Sequence, residues 1–111
     1  MEIIQKEEYG IICLTIRGRM DTAVAIETEK AVDKILAGNN NRLLFDLGDL
    51  VYLSSYGLRI ILNAAKKINM MDGNIILCSL IENVKDIFDI GGFGTNIPIA
   101  DSVESGIEVL S

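Results

Sequence analysis

Two adjacent serines, Ser54 and Ser55, stand where hydroxyl groups could take part in phosphate chemistry. They precede a stretch, residues 55–70, whose apolar side chains recur at helical spacing. One of the two serines is therefore expected to be the N-cap of that helix. Unpaired backbone N–H groups and the positive end of the helix dipole would stabilise a phosphate placed there. The same position equally suits serines that only cap the helix.

Two carboxylates, Asp21 and Asp46, lie at the ends of predicted strands or in loops. Sites collect at this edge of open α/β sheets, so the pair could act in acid–base chemistry. Each also suits a plain helix cap or turn residue. The chain has no histidine, and neither a Gly-x-Ser-x-Gly motif nor a Walker loop accompanies the serines. A serine nucleophile would have no evident base, so we predict that the protein is not an enzyme.

Basic residues follow the serines at Arg59, Lys66 and Lys67. Such residues usually form a solvated helix face. Arg59, one turn beyond Ser55, could instead contact a phosphate or a bound partner. The glycine-rich run of residues 91–94 does not follow a strand and is predicted to be a surface loop. Its Phe93 is an apolar tip that a partner could contact.

The composition favours a small globular domain with protein partners or a small ligand. The chain has 111 residues and a net charge of −6, which fits one domain and disfavours nucleic acid and anionic membranes. No apolar run approaches the roughly 20 residues of a membrane helix, and the acidic N-terminus is unlike a signal peptide. We therefore expect a cytoplasmic protein.

Cys13 and Cys78 are isolated, so we expect buried reduced thiols, no metal site and no cofactor.

The hydrophobic pattern predicts the order β-β-α-β-α-β-α-β-α and a mostly parallel sheet. The first two strands form a hairpin around Tyr9-Gly10, and the second strand is broken at Gly18–Asp21. Asp21 or Thr22 caps the first helix. The predicted strands are residues 2–8, 10–18, 42–47, 75–78 and 97–99, and the predicted helices follow Asp21 and cover about 55–70, 81–90 and 102–110, with a loop between the third strand and Ser54.

Two features of this pattern carry specific predictions. Residues 43–45 and 75–77 are continuous apolar runs, so we expect them to be adjacent, buried, parallel strands. Gly57 lies early in a helix, where glycine costs up to ~1 kcal/mol relative to alanine. Close approach of a partner or a neighbouring strand would offset this cost. On that basis Gly57→Ala is expected to keep or raise stability and to reduce partner affinity.

The stretch LLFDLGDLVYLSSYGLRIILNAAKK, residues 43–67, resembles the signature of STAS domains of the anti-anti-sigma factor family. In that pattern a hydrophobic strand ends in Asp, and a short loop leads to Asp or Ser, a phosphorylatable Ser, a small residue, Gly and Leu. The segments IRGRMDTAVAIETEKAV and IFDIGGFGTNIPIADSVESGIEVL are similar to other parts of the family, so the resemblance covers nearly the whole chain. It implies a single STAS domain over residues 1–111. It implies the STAS fold, a small mixed, mostly parallel sheet with about four helices mainly on one side.

The resemblance places the phosphoacceptor on Ser55 and the Gly-Leu pair on Gly57 and Leu58. This chain departs from the pattern at two positions. Ser54 replaces the usual Asp before the acceptor, so Ser54 is an alternative acceptor. Tyr56 replaces the usual small residue after the acceptor and could be a contact anchor or alter partner specificity.

The resemblance implies an anti-sigma factor antagonist. Such a protein binds an anti-sigma factor that is also a serine kinase, so that a sigma factor is released. Phosphorylation on Ser55 switches binding off, and a PP2C-type phosphatase restores it. The alternative is a STAS scaffold subunit of a transporter-associated or stressosome-like assembly without a phospho-switch; a nucleotide- or lipid-sensing STAS domain is a weaker third. The residues expected at the partner surface are Asp21, Ser54, Ser55, Tyr56, Gly57 and Arg59.

Overall fold

The computed structural model describes residues 2–90 and 97–111, and within them one mixed sheet of six strands carries four helices. The predicted fold class is confirmed. The strands are β1 (Glu2–Glu8), β2 (Ile11–Met20), β3 (Arg42–Asp46), β4 (Leu50–Leu53), β5 (Asn74–Cys78) and β6 (Ile99–Ala100), and the helices are α1 (Thr22–Ala37), α2 (Ser55–Met70), α3 (Glu82–Ile90) and α4 (Val103–Leu110). The predicted loop at residues 91–94, with Phe93, lies outside the described residues.

Strands β3 and β5 form the centre of the sheet, whose order is β1-β2-β3-β5-β6. Leu43–Phe45 pairs in parallel with Ile75–Leu77, and all six side chains are buried. The predicted pair of central strands is thus confirmed. Continuous apolar runs occur here because both faces of these strands are covered.

The two faces of the sheet have separate cores. Phe45 packs in the larger cluster, together with side chains from α1, α2 and α3. Leu44 and Ile76 point the other way, into a smaller cluster closed by Leu110 of α4. The alternation follows from the two-residue period of a strand. Three helices thus share one face and α4 covers the other.

The hairpin of β1 and β2 turns at Tyr9 and Gly10, as predicted. Both residues have positive φ, 54° and 75°, as a tight hairpin turn requires. β1 runs antiparallel to β2 over its whole length. The other strand pairs in the described part of the chain are parallel.

Two predictions about the stretch around Gly18 and residues 48–53 are wrong. β2 does not break at Gly18 but continues to Met20, and residues 50–53 form β4 instead of a loop. β2 pairs with β3 as far as Thr15 and with β4 from Gly18 onward, with a register shift at Gly18. Gly18 has φ 83°, which suits a bulge. One strand therefore changes partner at a glycine.

The remaining ends differ little from the prediction. Asp21, not Thr22, caps α1, since its carboxylate accepts a hydrogen bond from the Val24 N–H at 3.0 Å. The edge strand β6 begins at Ile99 and not at residue 97. No helix in residues 2–90 and 97–111 is both long and apolar enough to cross a membrane.

Candidate functional site

The two serines have different positions at the start of α2. Ser54 is the N-cap: its backbone is extended, and its Oγ accepts a hydrogen bond from the Gly57 N–H at 3.0 Å. Ser55 is the first residue of the helix and is exposed. The capping role that the sequence left open between the two serines therefore belongs to Ser54. Ser55 presents its side chain to solvent beside the first turn of the helix.

The site lies at the carboxyl edge of the sheet, where β2 and β4 end side by side. The Ser54 N–H donates a hydrogen bond to the Met20 carbonyl at 3.1 Å. This bond ties the start of α2 to the end of β2, and Asp21 is the next residue. Asp21 is exposed while its carboxylate caps α1. The fold thus brings Asp21 and the serine pair to one edge, with the N-termini of α1 and α2.

Gly57 is buried against the same strand end. A Cβ at this position would lie 3.0 Å from Leu53 Cδ1, 3.1 Å from Met20 Cγ and 3.2 Å from the Met20 carbonyl oxygen. The sequence predicted that either a partner or a neighbouring strand approaches Gly57 closely. In the structure, the ends of β2 and β4 make this close approach. The role of Gly57 at the partner surface stays a prediction.

Gly57→Ala is expected to lower the free energy of unfolding by about 1 kcal/mol, because the added methyl group crowds the Leu53 side chain as well as the side chain and carbonyl of Met20. This reverses the sequence-based expectation of equal or higher stability. Urea unfolding measures the change. In a Leu53→Ala background, which removes the nearest atom, the loss should shrink. An unchanged or higher unfolding midpoint for Gly57→Ala would restore the earlier expectation.

An open groove of about 440 Å³ runs along α2 from the exposed serine. Arg59 lies one turn beyond Ser55 and is exposed, as the sequence predicted. The side chains that line the groove are Ser55, Leu58, Arg59, Leu62, Asn63 and Lys66. Tyr56 does not line it: Tyr56 is half-buried and packs against the larger core. Part of the Tyr56 side chain is therefore buried against the core and is not accessible to a partner.

An aromatic–cation pair beside the serines was missed by the sequence prediction. The Arg19 guanidinium carbon lies 4.1 Å from the ring centroid of Tyr52, and the two residues are paired between β2 and β4. Tyr52 and its neighbour Val51 remain 40% and 62% exposed. The signal in the sequence is the short run Leu50–Leu53, whose composition suits a strand.

Asp21 and Asp46 each accept a hydrogen bond from a nearby backbone N–H, Asp21 in the α1 cap and Asp46 in its own turn. The Asp46 Oδ1 accepts the Gly48 N–H at 3.2 Å, and Thr15 Oγ1 makes a long contact with the Asp46 Oδ2 at 3.5 Å. Asp46 thus acts as a turn residue. Across the described part of the chain, no cluster of three or more histidine, cysteine, aspartate or glutamate residues could hold a metal ion.

Both cysteines are buried and free, as predicted. Burial raises the pKa of the Cys78 thiol to about 12, with smaller contributions from Asp46 and Cys13. Burial also raises the pKa of Cys13, with Glu8 and Asp46 adding to the effect and Lys6 opposing it. Protonated thiols of this kind are poor nucleophiles and behave as small apolar side chains.

Comparison with known proteins defines the class. The family model of the STAS domain matches residues 2–106, and the chain belongs to the STAS domain family. BtrV of Bordetella bronchiseptica, which is named as an anti-sigma factor antagonist, is 31% identical over 105 residues, covering 95% of this chain and 90% of the relative. The family resemblance seen in the sequence is therefore confirmed.

Solved structures agree on the fold. A Thermotoga maritima protein described as an anti-sigma factor antagonist matches with a TM-score of 0.91 at 22% identity, covering 97% of this chain and 93% of that one. The Bacillus protein SpoIIAA in its phosphorylated form matches with a TM-score of 0.82 at 12% identity, covering 99% of this chain and 100% of that one. At these identities the likeness establishes the fold alone.

Proposed function

We propose that this chain is an anti-sigma factor antagonist that is switched off by phosphorylation of Ser55. The observation that supports the proposal is the division of roles between the two serines. Ser54 is engaged as the helix cap, while Ser55 is exposed at the first position of α2. A kinase can therefore reach Ser55 without breaking the cap. The BtrV relative, 31% identical, carries the same functional name.

The unmodified protein would bind a serine kinase that is also the anti-sigma factor, and so release the sigma factor. Its contact surface would comprise Ser55, the start of α2, and Asp21 at the end of β2. Asp21 and Ser55 both lie exposed at this edge. Ser54, Tyr56 and Gly57 would contribute mainly by fixing the position of Ser55, since Gly57 is buried and Tyr56 is half-buried.

Phosphorylation would act by charge and not by refolding. A phosphate adds between about 1.5 and 2 negative charges at pH 7. Within a packed interface that charge must be desolvated, and unless the partner supplies cations the contact is lost. The N-terminus of α2 tolerates the same charge in the free protein. An exposed phosphoserine is also accessible to a PP2C-type phosphatase, which would restore the binding form.

The test is phosphorylation by the cognate kinase and ATP, with the modified residue located by mass spectrometry. We expect one phosphate on Ser55 and none on the Ser55→Ala variant. Ser54→Asn is the matched control, because asparagine caps a helix as well as serine but cannot be phosphorylated. Ser54→Asn should still be modified. Phosphate on Ser54 would move the switch by one residue. Absence of any modification would favour the scaffold role.

A further inference from the structure

The groove on α2 combines an apolar floor with a basic rim. Its six lining residues recur at helical spacing from Ser55 to Lys66, a length of about 16 Å at 1.5 Å per residue. Leu58 is buried and Leu62 is half-buried, while Arg59 and Lys66 are exposed. None of the described side chains that line the groove is acidic.

The two neighbouring lysines at the end of α2 have different environments. Lys67 forms an ion pair with Asp33 of α1, with an Nζ to Oδ1 distance of 2.7 Å. Lys67 is thus directed toward α1. Lys66 lines the groove instead. The positive charge of the groove therefore comes from Arg59 and Lys66, which stand about two turns apart on one helix face.

This local positive charge is set in an acidic chain with a net charge of −6. An acidic partner segment would be repelled by most of the surface and attracted at this strip, which fixes where and in what register it docks. We propose that the groove receives an acidic segment of the anti-sigma factor, whose apolar side chains contact Leu58 and Leu62 and whose carboxylates pair with Arg59 and Lys66. This inference rests on the proposed function and specifies its partner surface.

The groove also connects the switch to the docking charge. Ser55 lines one end of the groove, and Arg59 lies one turn away from it. A phosphate on Ser55 would place negative charge beside Arg59, where it competes with the carboxylates of the incoming segment. Lys66 lies near the opposite end. Phosphorylation would therefore weaken docking partly by neutralising the cation nearest to Ser55.

The test is the affinity of the anti-sigma factor for purified variants, measured by calorimetry. We expect Lys66→Glu to bind about tenfold more weakly, and Lys66→Gln to bind severalfold more weakly, as for a charge pair at an interface rim. The salt dependence of the dissociation constant should also be shallower for Lys66→Gln than for the wild type. Because Lys66 is exposed, both variants should keep the wild-type melting temperature.

Lys6→Glu is the matched control. It makes the same charge change on β1, at the edge of the sheet. Lys6 is exposed, and Cys13 is its directly opposite residue on β2. Cys13 belongs to the smaller cluster under α4, so Lys6 lies on the face of the sheet opposite to α2. Its affinity should stay within about twofold of the wild type if the effect is local.

The same assay separates the two proposals. If Ser55→Asp loses binding while Lys66→Glu binds like the wild type, the groove inference is overturned and the proposed function stands. If Lys6→Glu weakens binding as much as Lys66→Glu, the effect is one of total charge and the groove inference is again wrong. If the wild-type protein does not bind the anti-sigma factor, both proposals fail.

Discussion

Ser55→Asp is expected to bind the anti-sigma factor about a hundredfold more weakly than the wild type, a loss of about 2.7 kcal/mol. The substitution places a carboxylate at the exposed first position of α2, where the proposed partner would have to desolvate it. One carboxylate imitates a phosphate imperfectly, so the phosphorylated protein should bind more weakly still. Ser55→Ala should bind at wild-type strength and resist the kinase.

Stability provides the control for this prediction. A carboxylate in the first turn of a helix is favourable by about 0.3–1 kcal/mol, and the Ser54 cap remains in place. Ser55→Asp, Ser55→Ala and the wild type should therefore melt within a few degrees of one another. Equal binding by Ser55→Asp and the wild type would rule out a charge switch at this residue and leave the scaffold role.

Gly73→Ala is expected to lower the free energy of unfolding by about 3 kcal/mol, more than the loss expected for Gly57→Ala. Gly73 joins α2 to β5. A Cβ there would clash with the carbonyl oxygen of Asn41 and would lie 2.8 Å from both Asn41 Cβ and Ile68 Cγ1. The Asn41 carbonyl cannot easily retreat, because it accepts the Asn74 N–H at 2.8 Å.

Gly38→Ala is the matched control for this second prediction. Gly38 ends α1 with φ −86°, which any residue can adopt, and the nearest atom to its Cβ would be the side-chain amide nitrogen of Asn40 at 3.2 Å. That amide donates a hydrogen bond to the Ile35 carbonyl at 3.1 Å. Moving it aside weakens this one bond, so the loss of stability should stay below about 1.5 kcal/mol. Urea unfolding compares the two variants. Equal losses would show that the turn at Gly73 can relax.

The central strands and the helix starts could be predicted because their causes are local. Leu43–Phe45 and Ile75–Leu77 are uninterrupted apolar runs, which suit strands covered on both faces. The long amphipathic pattern of residues 55–70 matches α2 over its full length. A cap depends on one side chain and an N–H three residues later, so Asp21 and the serine pair stood out in the sequence.

Strand β4 could not be predicted, because its partner is distant in the chain. Leu50–Leu53 is short, and among the described residues it pairs only with the last residues of β2, from Gly18 onward. A strand of this length is not stable by itself, and its hydrogen bonds exist only when β2 changes partner. For the same reason the exposed pair of Arg19 and Tyr52 could not be found from the sequence.

The candidate site was identified from the sequence, but its division of roles came from the tertiary structure. The capping pattern placed Ser54 and Ser55 at a helix start without deciding which of them caps the helix. Which serine caps depends on the exact backbone position where β4 ends, and the Met20 carbonyl fixes that position through its bond to the Ser54 N–H. Likewise, helical spacing put Arg59 and Lys66 on one face, yet the ion pair of Lys67 with Asp33 required α1 to lie beside α2. Periodicity and capping are determined within one or two helical turns, whereas burial and pairing depend on residues that only the fold brings together.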